Sequence, residues 1–180
     1  MKVFIAGPRA VKELDENVVK KLDNICKKDY EILVGDASGI DSSVQEYLKS
    51  TDYKNVVVYA SNGRARNNLN HWNVVDVKVD EKIKGFDFYV QKDIQMAKDA
   101  DAGFMVWNGE SKGTFNNILN LLEQQKSVIL YFVNTMKFYL FKTKEEFERF
   151  ISLNIKLSKS LKKMLETSHK KDFEQVSFLE

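Results

Sequence analysis

The sequence is poor in the residues that build metal sites and disulfide frameworks. Its 180 residues include one cysteine, Cys26, and two isolated histidines, His71 and His169, so we expect no disulfide and no metal site. No stretch approaches the roughly 18 apolar residues of a membrane helix. The few apolar residues before Gly7 are too short a run for the core of a signal peptide. The formal net charge of +2 is too small to indicate nucleic acid by itself. We therefore expect a cytoplasmic protein without a membrane partner.

Short apolar runs alternate with segments that space apolar residues as a helix does. Lys2–Ala6 is continuously apolar after its lysine, as in a strand buried on both faces of a sheet. Val18, Leu22 and Ile25 then predict a helix over about residues 12–28. Further strands are predicted near 31–34, 55–60, 103–107 and 127–133, with helices near 40–48, 90–99 and 113–125. This order predicts an α/β protein: a three-layer Rossmann-like fold with a mostly parallel sheet and a C-terminal helical extension.

The last 45 residues differ from the rest. Residues 1–135 carry the alternation and form the predicted nucleotide-binding domain, whereas residues 136–180 form a C-terminal edge strand and helical extension of the same unit. Phe138–Phe141 predicts the edge strand and residues 143–151 a helix. Beyond them, leucines at helical spacing form one side of a predicted helix, and lysines are concentrated on its opposite side. This basic helix is expected to pack on the domain or on a partner subunit, with a membrane-surface helix as the alternative.

Two small-residue loops follow predicted strands and lead into predicted helices. The first runs from Gly35 through Ser38 and Gly39 to Asp41, and the second from Asn108 through Gly113 to Thr114. Such a loop lets backbone N–H groups approach a ligand closely, and the N-terminus of the following helix adds a partial positive charge. The two loops together therefore suit a phosphate or a ribose.

The topology predicted for the sheet brings these loops together. Gly7-Pro8-Arg9 and Ser61–Arg66 also follow strands. In a doubly wound parallel sheet, ligands bind beyond the carboxyl ends of the strands, at the point where the strand order reverses. All four loops are therefore expected at one edge of the sheet.

Four of these elements, in order, resemble the SLOG superfamily, which includes the LOG phosphoribohydrolases and the DprA DNA-processing proteins. The similarity is greatest to the YspA/YpsA-related branch and covers roughly residues 1–135. It rests on Gly7-Pro8-Arg9, on Gly35-Asp36-Ala37-Ser38-Gly39-Ile40-Asp41, on Ala100-Asp101, and on Gly109-Glu110-Ser111-Lys112-Gly113-Thr114. The resemblance implies a nucleotide or nucleotide-derived ligand at the carboxyl edge of the strands, and a homodimer.

The sequence departs from the LOG pattern at two positions. LOG enzymes carry a glutamate where this chain has Asn117, and an amide cannot act as a general base. Asp36 replaces the second glycine of the first loop and would repel a phosphate if it pointed inward. The chain also resembles nucleoside 2-deoxyribosyltransferases in Ile5-Ala6-Gly7-Pro8, but that similarity does not account for the Gly35–Asp41 loop.

These patterns define the candidate residues. The carboxylates that could carry acid–base chemistry are Asp41, Asp93 and Glu110. The predicted ligand-binding residues are Gly7, Pro8, Arg9, Gly35, Asp36, Ala37, Ser38, Gly39, Asp41, Arg64, Asn108, Gly109, Ser111, Lys112, Gly113, Thr114 and Asn117. No cofactor is evident, although a nucleotide could bring Mg²⁺ with it.

Three functions remain open at this point. The leading hypothesis is a module that binds or senses a nucleotide-type small molecule. The second is an N-glycosidase or glycosyltransferase that acts on nucleosides or nucleotides, since the three candidate carboxylates fall near the same edge. The third is single-stranded nucleic-acid binding of the DprA kind, against which the weak net charge argues.

Overall fold

The computed structural model describes residues 1–63 and 65–177, and within them it contains seven strands and six helices. The strands are β1 (Lys2–Ala6), β2 (Glu31–Gly35), β3 (Val56–Ser61), β4 (Asn73–Val77), β5 (Ala102–Trp107), β6 (Val128–Phe132) and β7 (Lys137–Phe141). The helices are α1 (Glu16–Lys27), α2 (Ile40–Ser50), α3 (Phe86–Asp99), α4 (Lys112–Glu123), α5 (Lys144–Asn154) and α6 (Lys159–Ser177).

The strands form one sheet in the order β4-β3-β2-β1-β5-β6-β7. Every neighbouring pair is parallel except β6 and β7, which are antiparallel. The predicted α/β fold with a mostly parallel sheet is therefore confirmed. The chain runs outward from β1 to β4, crosses back through α3 to β5, and continues outward to β7. The strand order thus reverses between β1 and β5.

Helices cover both faces of the sheet. Alternate residues of β1 point to opposite sides: Val3 and Ile5 pack with α1 and α2, whereas Phe4 and Ala6 pack with the core under α3 and α4. Burial on both faces explains why the strand is continuously apolar.

The C-terminal elements share the larger core. Phe147 and Phe150 of α5 and Leu161 of α6 are buried in the same cluster as Trp107 of β5, and the rings of Trp107 and Phe147 lie 5.9 Å apart. Among the described residues, no helix has the length and apolar character needed to cross a membrane.

Candidate functional site

A cavity of about 570 Å³ opens at the carboxyl edge of the sheet, where the strand order reverses. Its walls come from the segments that follow β1, β2 and β5 and from one side of α3. The predicted site residues that line it are Gly7, Arg9, Ala37, Asp41, Asp93, Asn108, Glu110, Ser111, Gly113, Thr114 and Asn117. All three candidate carboxylates therefore lie at one cavity.

Other predicted site residues lie beside the cavity without lining it. They are Pro8, Gly35, Asp36, Ser38, Gly39, Gly109 and Lys112. Arg64 lies outside the described residues. The positions of these residues show which parts of the two loops line the cavity and which parts lie behind its wall.

The second loop presents the beginning of α4 to the cavity. Asn108 accepts hydrogen bonds through Oδ1 from the backbone N–H groups of Glu110 and Ser111, at 3.1 and 3.0 Å. Ser111 caps the helix by accepting from the N–H of Thr114. The N–H groups of Lys112 and Gly113, by contrast, have no acceptor among the described residues. A helix begins here with two free amides, which is the arrangement that attracts an anion.

Asn117 lies on the same helix and forms part of the cavity wall. Its side chain is 3% exposed, yet its Oδ1 has no hydrogen-bond partner among the described residues. Leaving a buried acceptor unpaired costs about 1–3 kcal/mol. An unpaired oxygen on a residue that lines a cavity indicates a place for a donor group from a ligand or from water.

The opposite wall carries a compact group of buried charges. Lys92 of α3 is buried and places its Nζ 2.7 Å from Asp93 Oδ1. Burial favours its neutral amine, but the carboxylates of Asp93 and Asp41 outweigh that effect and raise the pKa of Lys92. Burial raises the pKa of Asp41 to about 6, although Lys92 opposes the shift.

Gly35 makes this arrangement possible. A β-carbon at Gly35 would lie 2.4 Å from Asp41 Oδ2 and 2.8 Å from Lys92 Nζ, closer than real atoms approach. The glycine therefore leaves room for a buried carboxyl and a buried ammonium against the backbone at the end of β2.

Two backbone amides of the first loop donate hydrogen bonds within the protein. The N–H of Ala37 donates to Asp41 Oδ2 at 3.2 Å, and the N–H of Ile40 donates to the carbonyl of Pro8 at 3.3 Å. Gly39 has a φ of 82°, and a β-carbon there would lie within 2.6 Å of the backbone of Pro8 and Arg9. The loop thus fixes Asp41 and the turn after β1.

Asp36 does not point into the cavity, so the expected repulsion of a phosphate does not arise. It accepts hydrogen bonds from Arg66 Nε at 2.9 Å, from Arg66 Nη2 at 2.6 Å and from the Arg66 backbone. Burial opposes ionisation, but these hydrogen bonds lower the pKa of Asp36. The pair joins the segment after β3 to the loop after β2.

Tyr89 of α3 lies on the cavity wall with two guanidinium groups near its ring. The Arg9 Cζ is 5.2 Å and the Arg66 Cζ 4.9 Å from the ring centroid, within the range of a cation–π contact. Arg66 is paired with Asp36, whereas Arg9 has no carboxylate partner among the described residues. Arg9 is therefore available to an anionic ligand in the cavity.

On the α3 side of the cavity, Asp93 is the one residue that was among the predicted site residues. Tyr89, Lys92 and Met96 line the cavity as well. A signal was present, because positions 89, 92, 93 and 96 share one face of a helix. Lys92 shares this helix face with Met96, which is buried. A charged side chain therefore stands where an apolar one is expected.

The chain matches no protein-family model and no curated protein. It is similar in structure to DNA processing protein A from Helicobacter pylori, which is described as binding single-stranded DNA. The TM-score is 0.57 at 12% sequence identity, and the match covers 95% of this chain and 81% of that chain. The two proteins share a fold. This similarity agrees with the resemblance to the LOG and DprA group at the level of architecture.

Proposed function

We propose that this protein binds a nucleotide or a nucleotide-derived small molecule in the cavity beyond the carboxyl ends of β1 and β5, as a ligand-binding or sensing module. The observation that carries the proposal is the unpaired Oδ1 of Asn117, which lies on the same helix as the free amides of Lys112 and Gly113 and one turn beyond Gly113. The cavity volume of about 570 Å³ falls within the range usual for small-molecule sites.

The two ends of the cavity suit different parts of such a ligand. The first turn of α4 and the unpaired Arg9 supply positive charge and N–H donors, which suit a phosphate. Asp41 and Asp93 supply carboxyl oxygens, which suit ribose hydroxyls. Tyr89 offers an aromatic surface of the kind on which a base stacks.

The first test is mass spectrometry of the small molecules that natively purified protein releases on denaturation. A nucleotide in stoichiometric amount supports the proposal and identifies the ligand class. If the protein is purified empty, calorimetric titration with a panel of nucleotides replaces this measurement. No binding across that panel would contradict the proposal.

A variant links the ligand to the cavity. Asn117→Leu removes the unpaired oxygen while keeping the approximate size of the side chain. We expect it to weaken binding roughly tenfold, which corresponds to one hydrogen bond of about 1–1.5 kcal/mol. Asn24→Leu is the matched control, because Asn24 is exposed on α1, on the other face of the sheet.

A second candidate function is cleavage or transfer of an N-glycosidic bond. Asp41 favours it, because a carboxyl with a pKa of about 6 holds a proton close to neutral pH, as a general acid must. This function requires release of free base from a nucleoside or nucleotide and its loss in Asp41→Asn. The absence of base release over a nucleotide panel leaves ligand binding as the function.

Single-stranded DNA binding is the third candidate, suggested by the activity described for the structurally similar protein. Binding to DNA would show a steep dependence on salt, because it releases counterions from the phosphates. Titration with a labelled single-stranded oligonucleotide at several salt concentrations tests it directly.

A further inference from the structure

A second concavity of about 590 Å³ lies between α3, α4 and α6. Val90 and Ile94 of α3 and Met164 of α6 form apolar walls, and Leu119 of α4 lies between them. We call this concavity the α4 groove. It lies on the face of the sheet that α3 and α4 cover, and α6 of the C-terminal extension completes it.

Two amide side chains in the α4 groove lack partners. The Nδ2 atoms of Asn116 and Asn120 are buried and make no hydrogen bond with any described residue. The residues are four positions apart on α4, so their side chains lie on one face, about 6 Å apart. A buried N–H donor without an acceptor carries a desolvation cost. Two of them in one groove indicate a ligand with acceptor atoms, such as the edge of a nucleobase.

The α4 groove adjoins the first cavity. Phe86 and Val90 line both of them. Lys112 lies next to both sites. Its free backbone N–H is in the first turn of α4, beside the cavity, and the residue lines the α4 groove. The first turn of α4, with the Lys112 side chain and two free amides, therefore borders both sites.

We propose that the α4 groove takes the second half of a two-part ligand: two nucleosides joined through a pyrophosphate. One nucleoside occupies the first cavity, the pyrophosphate lies at the first turn of α4 near Lys112, and the second nucleoside places its base against Asn116 and Asn120. This inference rests on the proposed function and extends it from a nucleotide to a dinucleotide.

The test compares AMP, ADP and diadenosine pyrophosphate, with the matching guanine and uracil series, by calorimetric titration. For the base that binds, we expect the dinucleotide to bind roughly tenfold tighter than the nucleoside diphosphate, because it adds one or two hydrogen bonds. Asn116→Leu with Asn120→Leu should remove that excess and leave the affinity for the monophosphate unchanged. Asn24→Leu should change neither.

The outcomes separate the two proposals. A dinucleotide that binds no more tightly than the diphosphate overturns the inference about the groove and leaves the proposed function intact. If none of the nucleotides binds, both fail. Thr167→Trp supplies a second variant, because Thr167 is an exposed residue on the groove wall and an indole there would fill the groove. If this variant binds the dinucleotide as tightly as the unmodified protein does, the α4 groove is not the site.

Discussion

Gly35→Ala is the sharpest test of the buried charges beside the cavity. The new β-carbon would lie 2.4 Å from Asp41 Oδ2 and 2.8 Å from Lys92 Nζ, so both side chains must move. Forcing an extra methyl group into a packed interior costs about 1–3 kcal/mol. The lower entropy of the unfolded alanine chain offsets about 0.4–1 kcal/mol of that. We expect a net loss of about 1–2 kcal/mol, which lowers Tm by about 2–8 °C for a chain of this size.

Gly113→Ala is the matched substitution in the second loop. A β-carbon at Gly113 would meet no atom within 4 Å, and its backbone is helical. The same gain of about 0.4–1 kcal/mol should therefore appear without a steric cost. The methyl group would project near the free amides of α4, so binding of an anionic ligand should weaken although the protein becomes more stable.

Urea denaturation followed by circular dichroism measures both variants, and the midpoints are comparable if the m-value stays constant. We expect the free energy of unfolding to fall in Gly35→Ala and to rise in Gly113→Ala. Equal stability of Gly35→Ala and the unmodified protein would refute the close approach of Asp41 and Lys92 to the backbone of β2.

Three further predictions concern neighbouring residues. Burial raises the pKa of Asp41 from 3.8 to about 6, so the folded state binds this proton more tightly than the unfolded state does. The resulting contribution to the free energy of unfolding, up to about 3 kcal/mol, is present below pH 4 and is lost as the pH rises to 6. Asp41→Asn should remove that decline in urea midpoints measured from pH 4 to 7. Asp36→Asn should destabilise by about 1–3 kcal/mol, since it breaks charge-assisted hydrogen bonds to Arg66, and limited proteolysis should then cut the segment after β3 faster; an unchanged cleavage rate would contradict this role. Asn117→Leu should leave Tm unchanged or raise it in the ligand-free protein, because it removes an acceptor that has no partner; a marked loss of Tm would show a structural partner instead.

Much of the fold was predictable because the signals are local. Continuous apolar runs and helical spacing predicted most of the strands and helices, including β1 (Lys2–Ala6) and α1 (Glu16–Lys27). The order of these elements predicted a parallel sheet, since an alternation of strands and helices has few other compact arrangements.

The site was less predictable, because its contacts join distant parts of the chain. Asp36 and Arg66 are thirty residues apart, and no pattern in either segment indicates that a bidentate pair joins them. Without knowledge of that pair, the sequence could not show whether the Asp36 side chain points into the cavity or away from it. The buried position of the Lys92 ammonium likewise depends on the space that Gly35 leaves open, and the sequence around Lys92 does not indicate that space.

Glycine in a loop signals that something approaches the backbone closely, and it does not say what. In the first loop the approaching groups belong to the protein: Asp41 and Lys92 at Gly35, and the backbone of Pro8 and Arg9 at Gly39. In the second loop nothing from the protein approaches Gly113. The two loops look alike in sequence, yet Gly35 and Gly39 of the first pack against protein atoms, whereas Gly113 of the second borders open space at a helix N-terminus. Because Gly113 and Asn117 of α4 line the cavity and the Asn117 oxygen has no partner among the described residues, we expect mutations on this helix to separate ligand affinity from stability most clearly.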